Sequence, residues 1–139
     1  MSWWRKSPPQ SATPEHLRRG RLGEQAARDH LASFGLKFLA ANFRSRNGEI
    51  DLIFREDDCL VFVEVKTRSS GQWTRPAAAV NQKKRRLLSE TALDYLKQLG
   101  NPPVRFRFDI IEVLLKGGAV DTIRHLPNAF ELTTWRQYR

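Results

Sequence analysis

The stretch "GEIDLIFREDDCLVFVEVKTR", residues 48–68, decides the fold. It holds two apolar runs separated by Glu56-Asp57-Asp58, and each is interrupted by an acid: Asp51 between Ile50 and Leu52, Glu64 between Val63 and Val65. Short runs rich in β-branched and aromatic residues on either side of a polar turn read as the two strands of a hairpin. Side chains alternate along a strand, so Glu64 and Lys66 share one face while Val63 and Val65 point to the other. A hairpin turning symmetrically about Asp57-Asp58 sets Asp51 directly opposite Glu64. Facing Cβ atoms in such a pair are about 4.5–5.5 Å apart, so two acids there repel unless a cation lies between them. Oxygen ligands from one Asp and one Glu, completed by water, a backbone carbonyl and a substrate phosphate, suit Mg²⁺ better than zinc. Lys66 beside the pair can hold an attacking water or stabilise charge on a phosphorane-like transition state, as phosphodiester cleavage requires. A plain Glu64–Lys66 surface ion pair is the bland alternative, and the apolar neighbours of all three positions count against it.

Upstream, "LKFLAANF" (36–43) reads as a strand entering the hairpin through the Asn47-Gly48 turn signal, so three strands form a meander. Thr13-Pro14-Glu15 offers a helix start, and Leu17, Leu22, Ala26, Ala27 and Leu31 an apolar face, so the first helix spans about 14–34. Gly20 and Gly23 weaken it by about 1 kcal/mol each relative to Ala, which points to a late start or to a close approach by something else. Downstream, "RSSGQWTRP" (68–76) reads as a loop and 77–99 as an amphipathic helix with a basic cluster, Lys83-Lys84-Arg85-Arg86, near its start. Strands follow at 104–115 and, more weakly, at 119–126, joined by Gly117-Gly118. The order α-β-β-β-α-β-β predicts a mixed sheet with helices against it.

A chain of 139 residues fits one compact domain. The polar, Pro-rich start predicts a flexible tail over 1–12, in which Trp3 and Trp4 carry no site, and one domain over 13–139. The formal charge of +9, spread through the chain, favours a polyanionic partner. A single cysteine, Cys59, excludes a disulfide framework and a Cys-rich zinc site, and suits a reducing compartment. With no apolar stretch long enough for a bilayer and no secretory signal at the start, we expect a cytoplasmic protein without a membrane partner. His16, His30 and His125 show no metal-ligand spacing and read as surface or capping residues. Asp109 reads as the partner of a nearby arginine.

Asp51 followed by the "EVK" of Glu64-Val65-Lys66 resembles the PD-(D/E)XK nuclease superfamily, whose core order is α-β-β-β-α-β. More closely, "GRLGEQAARDHL", "NFRSRNGEIDLIFRED", "LVFVEVKTR" and "RFDII" resemble the YraN-like family of small bacterial proteins, related to archaeal Holliday junction resolvases. The four blocks, from residue 20 to about 115, are specific in combination, whereas D followed by ExK alone is a weak motif.

The resemblance implies an α/β, restriction-endonuclease-like fold. It implies that Asp51 and Glu64 bind Mg²⁺ or Mn²⁺ with the Val65 carbonyl completing the shell, that Lys66 assists the water, and that Glu24 of the first helix joins the catalytic group. Without it, Glu24 reads as a solvated helical acid. Lys83 is the best match to a polar residue that the second helix adds in some branches, with Lys84 equally placeable. Arg68, Lys83, Lys84, Arg85 and Arg86 are candidates for nucleic-acid phosphate contact, and Arg107 reads as structural. The expected activity is metal-dependent hydrolysis of phosphodiesters in DNA, including branched or structured DNA, by a homodimer if the resolvases are the guide. The alternative is a non-catalytic nucleic-acid-binding protein that retains the nuclease fold.

Overall fold

The structure, a computed structural model, describes residues 14–69 and 80–133. The expected tail over 1–12, Trp3 and Trp4, and most of the loop expected over 68–76 lie outside the described residues. Helix α1 spans Glu15–Ser33, followed by strands β1 (Lys37–Ser45), β2 (Gly48–Glu56) and β3 (Cys59–Ser69), helix α2 (Gln82–Gln98), and strands β4 (Arg105–Lys116) and β5 (Ala119–Phe130). The five strands form one sheet in sequence order, antiparallel except where β3 pairs in parallel with β4. That one parallel contact needs a crossover, and α2 supplies it. The result is an α/β fold with a restriction-endonuclease-like core.

The helices cover opposite faces. Ala27 and Leu31 of α1 pack with Leu52, Phe54, Val61, Val63, Ile111 and Val113, whereas Leu88, Ala92, Leu93 and Leu96 of α2 pack with Ile53, Phe62, Phe108 and Ile110. The central strands are apolar on both faces because both faces are covered. The buried stripe of α1 is Gly23, Ala27 and Leu31, so Leu17 and Leu22, expected on the apolar face, stay exposed. Gly23 explains how α1 lies so close to the sheet: a Cβ there would overlap the Thr67 hydroxyl of β3, whereas Gly20 has nothing near it.

Three boundaries differ from those expected, each for a local reason. Helix α1 begins at Glu15 with Pro14 in the capping position and no side-chain cap. Helix α2 begins at Gln82 and not at 77, because the Asn81 side chain accepts a hydrogen bond from the Lys84 N–H and caps it; Val80, just outside, is buried in the core. Strand β5 runs four residues past 126, since Pro127 is tolerated on an edge strand, and Asn128, at φ 50°, returns the chain so that Phe130 stacks on Phe108 at 4.8 Å. At the β4–β5 hairpin, Gly117 and Gly118 both take positive φ, 60° and 79°, as a type I′ turn requires.

One irregularity matters for the site. Ile50 packs on the α2 side and Leu52 on the α1 side, although residues two apart in a regular strand share a face. The alternation breaks at Asp51. Across from it on β1, between the pairs Ala41↔Leu52 and Phe43↔Ile50, stands Asn42 with a φ of 54°.

Candidate acid-lysine site

Strands β2 and β3 pair from Glu56↔Cys59 to Leu52↔Val63, the register that a symmetric turn predicts. The next step would set Asp51 against Glu64, and there the pairing stops. Instead, the Val65 N–H donates to Asp51 Oδ2 at 2.8 Å, and the Asp51 carboxyl is held against the charge of Glu64. Burial, then the charge of Glu64, push Asp51 up to about 8; the Val65 N–H opposes this only in part. Two carboxylates in one dry crevice cannot both ionise without a compensating charge.

Glu64 is 4% exposed and meets two ammonium groups: Lys66 Nζ lies 3.4 Å and Lys84 Nζ 3.3 Å from its Oε2. Lys66 arrives by the two-residue period of β3, and Lys84 by the start of α2 that Asn81 fixes. Of the two lysines the sequence left open, Lys84 is the one that reaches the acids, while Lys83 is exposed.

Glu24 comes from α1, on the other side of the sheet. Its carboxyl is raised by burial first, then by the charges of Glu49 and Glu64. With the Asn42 amide turned so that its nitrogen faces acceptors, Nδ2 donates to Glu49 Oε1 at 3.0 Å and to Glu24 Oε1 at 3.3 Å. Glu24 also borders two open hollows of about 300 and 290 Å³, one with Arg21 and Arg28, the other with His16 and Arg19. Glu49 and Asn42 were not singled out from the sequence; the signal lay in an acid two residues before Asp51, and in an asparagine, a residue that tolerates positive φ, inside a strand.

The remaining candidates lie apart from the acid pair or beside it. Arg68 Nε stands 3.7 Å from Glu112 Oε2. Arg85 donates to the Val80 carbonyl at 3.0 Å, and Arg86 is half-buried. Arg107 bridges Glu56 at 2.8 Å and Asp109 at 3.0 Å. Asp109, wholly buried, also contacts His125 Nε2 at 2.7 Å and accepts from the Asn128 N–H at 2.9 Å. His125 is thus the partner of a buried acid and not a surface or capping residue. His16 borders the smaller hollow, and His30 stacks edge-on with Phe34.

The donors at the acid pair are oxygens, as a hard cation prefers, and Asp51 is raised by burial and by the charge of Glu64. Asp51, Glu64 and a backbone carbonyl therefore fit a Mg²⁺-type ion, which takes one or two carboxylates and fills its shell with water and phosphate. Among the described residues, no three His, Cys, Asp or Glu side chains are gathered so as to hold a metal on their own. No helix among them is long and apolar enough to cross a membrane.

Element order and the mixed five-stranded sheet define a fold of the restriction-endonuclease-like class. Residues 23–113 match the model of the Uncharacterised protein family UPF0102, the YraN family. The chain is similar to a UPF0102 protein of Trichlorobacter lovleyi, 45% identical over 81% of this chain and 90% of the relative. It is also similar to one of Pelobacter propionicus, 39% identical over 91% and 92%, and one of Geobacter metallireducens, 42% identical over 81% and 92%. The chain belongs to the UPF0102 family. The matched span includes Glu24, Asp51, Glu64, Lys66 and Lys84.

Proposed function

We propose that this protein is a metal-dependent endonuclease that hydrolyses phosphodiester bonds in DNA, branched or structured DNA included. The observation that carries the reading is the approach of half-buried Asp51 to buried Glu64, a like-charge pair flanked by lysine. A Mg²⁺ or Mn²⁺ ion bound by Asp51, Glu64 and the Val65 carbonyl would neutralise the acids and polarise the phosphodiester. Asp51 would give up its proton on loading and stay fixed by the Val65 N–H. Lys66, half-buried on the face of Glu64, is positioned to orient the attacking water or to balance charge on the reacting phosphate. Lys84 adds a second ammonium at the crevice, suited to the phosphate oxygens. Glu24, raised by burial, is a proton acceptor held near the entrance by Asn42. The net charge of +9 favours the polyanion throughout.

A second reading, a nucleic-acid-binding protein that keeps the fold without turnover, draws on the two ammonium groups at Glu64 Oε2, which offset that charge without an ion. One experiment separates the two readings. Labelled single-stranded, duplex, flapped and four-way-junction DNAs are incubated with wild type and Asp51→Ala in Mg²⁺ or Mn²⁺. Cutting that needs the metal and is lost in Asp51→Ala establishes the nuclease and its preferred structure. Salt-sensitive binding with no cutting by either protein leaves the binding module.

A further inference from the structure

Past Glu64 and Lys66, the same face of the sheet continues across β3, β4 and β5. Register sets Lys66 beside Glu112, and Glu112 beside Arg124. Glu112 is wholly buried, yet among the described residues neither of its oxygens accepts a hydrogen bond. Arg68 Nε lies 3.7 Å from Oε2, and Arg124 Nη2 lies 3.5 Å from Oε1. Both contacts are longer than the roughly 2.7–2.9 Å of a charge-assisted hydrogen bond.

A carboxylate kept only for stability is not left this way. Asp109, three residues earlier on β4, shows the alternative, with hydrogen bonds from Arg107, His125 and the Asn128 N–H. Glu112 instead draws in two guanidiniums from neighbouring elements without closing on either. The side chains of Arg68 and Arg124 remain 30% and 37% exposed.

Spacing identifies the ligand. Arg68 follows Lys66 by two residues on one strand, roughly 6.6 Å, and Arg124 stands two strands from Lys66, roughly 9.6 Å. The cations therefore lead away from the acid pair in steps, which suits a chain of repeating anions better than one small anion. We propose that Arg68 and Arg124, set by Glu112, form a ledge that takes the nucleic-acid backbone phosphates flanking the one at Asp51 and Glu64. Glu112 is a positioning residue, since it is buried beneath the ledge. The inference rests on the nucleic-acid reading above, and extends it to two residues, Glu112 and Arg124, with no place in the acid-lysine site.

The test is binding of the full chain to labelled duplex and four-way-junction DNA in Ca²⁺, across a salt series, with folding followed by thermal melting. Arg68→Gln and Arg124→Gln should each weaken binding several-fold and lower the slope of log affinity against log salt by about 1. Glu112→Gln is the sharper variant. Removing a negative charge near a polyanion should tighten binding by simple electrostatics, whereas loss of a positioning carboxylate should weaken it several-fold in protein that still melts cooperatively. Should Glu112→Gln fail to fold, the two arginine variants decide alone. Weaker binding with smaller slopes supports the ledge whether or not the wild type cuts DNA. Unchanged affinity and slope in both arginine variants, or tighter binding by Glu112→Gln, overturns the ledge and leaves the nuclease reading intact. Wild type that binds neither DNA overturns both.

Discussion

Asp51 and Asp109 are both largely buried on the same sheet, and their surroundings drive them to opposite charge states. Asp109 loses water and should rise, yet His125, the Asn128 N–H and Arg107 together hold it below the usual carboxylate range. Asp51 suffers the same desolvation, faces Glu64 in place of a cation, and is lifted to about 8. Burial alone does not make an acid functional. A partnered acid is part of the scaffold, whereas one pressed against a like charge is a candidate for function.

The contrast can be broken at several points. The largest effect should come from Asp109→Ala, which leaves His125 and the Asn128 N–H without their acceptor and Arg107 with Glu56 alone, and should lower unfolding stability by about 3–5 kcal/mol in urea titrations. Asp51→Asn should do the reverse, stabilising the metal-free protein at pH 8 by on the order of 2 kcal/mol, because it removes a charge that the crevice disfavours. The sign extends to pH. With its native value raised, Asp51 contributes stability that is fully present below its unfolded value near 3.8 and lost as pH rises through about 8. Melting in EDTA should therefore fall across pH 5 to 8 in wild type and fall less in Asp51→Asn. Asp109, with its value depressed, contributes stability that is present above the usual carboxylate range and lost as pH falls through its lowered value.

Gly23→Ala tests how Glu24 comes within range of the pair. Overpacking against Thr67 at about 1–3 kcal/mol, less about 1 kcal/mol of helix propensity, should leave a net loss of about 0–2 kcal/mol in chemical denaturation. The smallest effect belongs to Asp58, which is lowered by exposed Arg105 across 2.7 Å. A fully exposed pair is screened by water, so Asp58→Asn should leave the urea midpoint unchanged. A lowered value at the surface is then no guide to stability, in contrast to the same direction at Asp109.

The part of the site that could be read from the sequence is the part fixed by local geometry. A two-residue turn and the period of two determine which residues of the β2–β3 hairpin face each other, so the approach of Asp51 to Glu64 follows from residues 51–64 alone. Lys84 could not be told from Lys83, because its direction depends on where α2 starts, and a single asparagine cap sets that start. Glu24 carries no local mark among the charges of α1; only the family resemblance picked it out. Glu49 and Asn42 depend on a left-handed residue inside a strand that flips the alternation at Asp51. Glu112 comes beside Lys66 through the parallel β3–β4 register, which is set by packing around the α2 crossover and not by a turn, and Arg124 joins it through a β4–β5 hairpin whose register shifts at Leu114–Leu115.

On the proposed function, a divalent cation bound at Asp51 and Glu64 displaces the proton that Asp51, raised to about 8, carries near neutral pH. The direct measurement is calorimetric titration of Mg²⁺ into the protein near pH 7 in buffers of different ionisation enthalpy, which counts protons released per ion bound. The account predicts binding with release approaching one proton, and loss of both the release and most of the affinity in Asp51→Asn. Binding without proton release, or equal binding by Asp51→Asn, would contradict it.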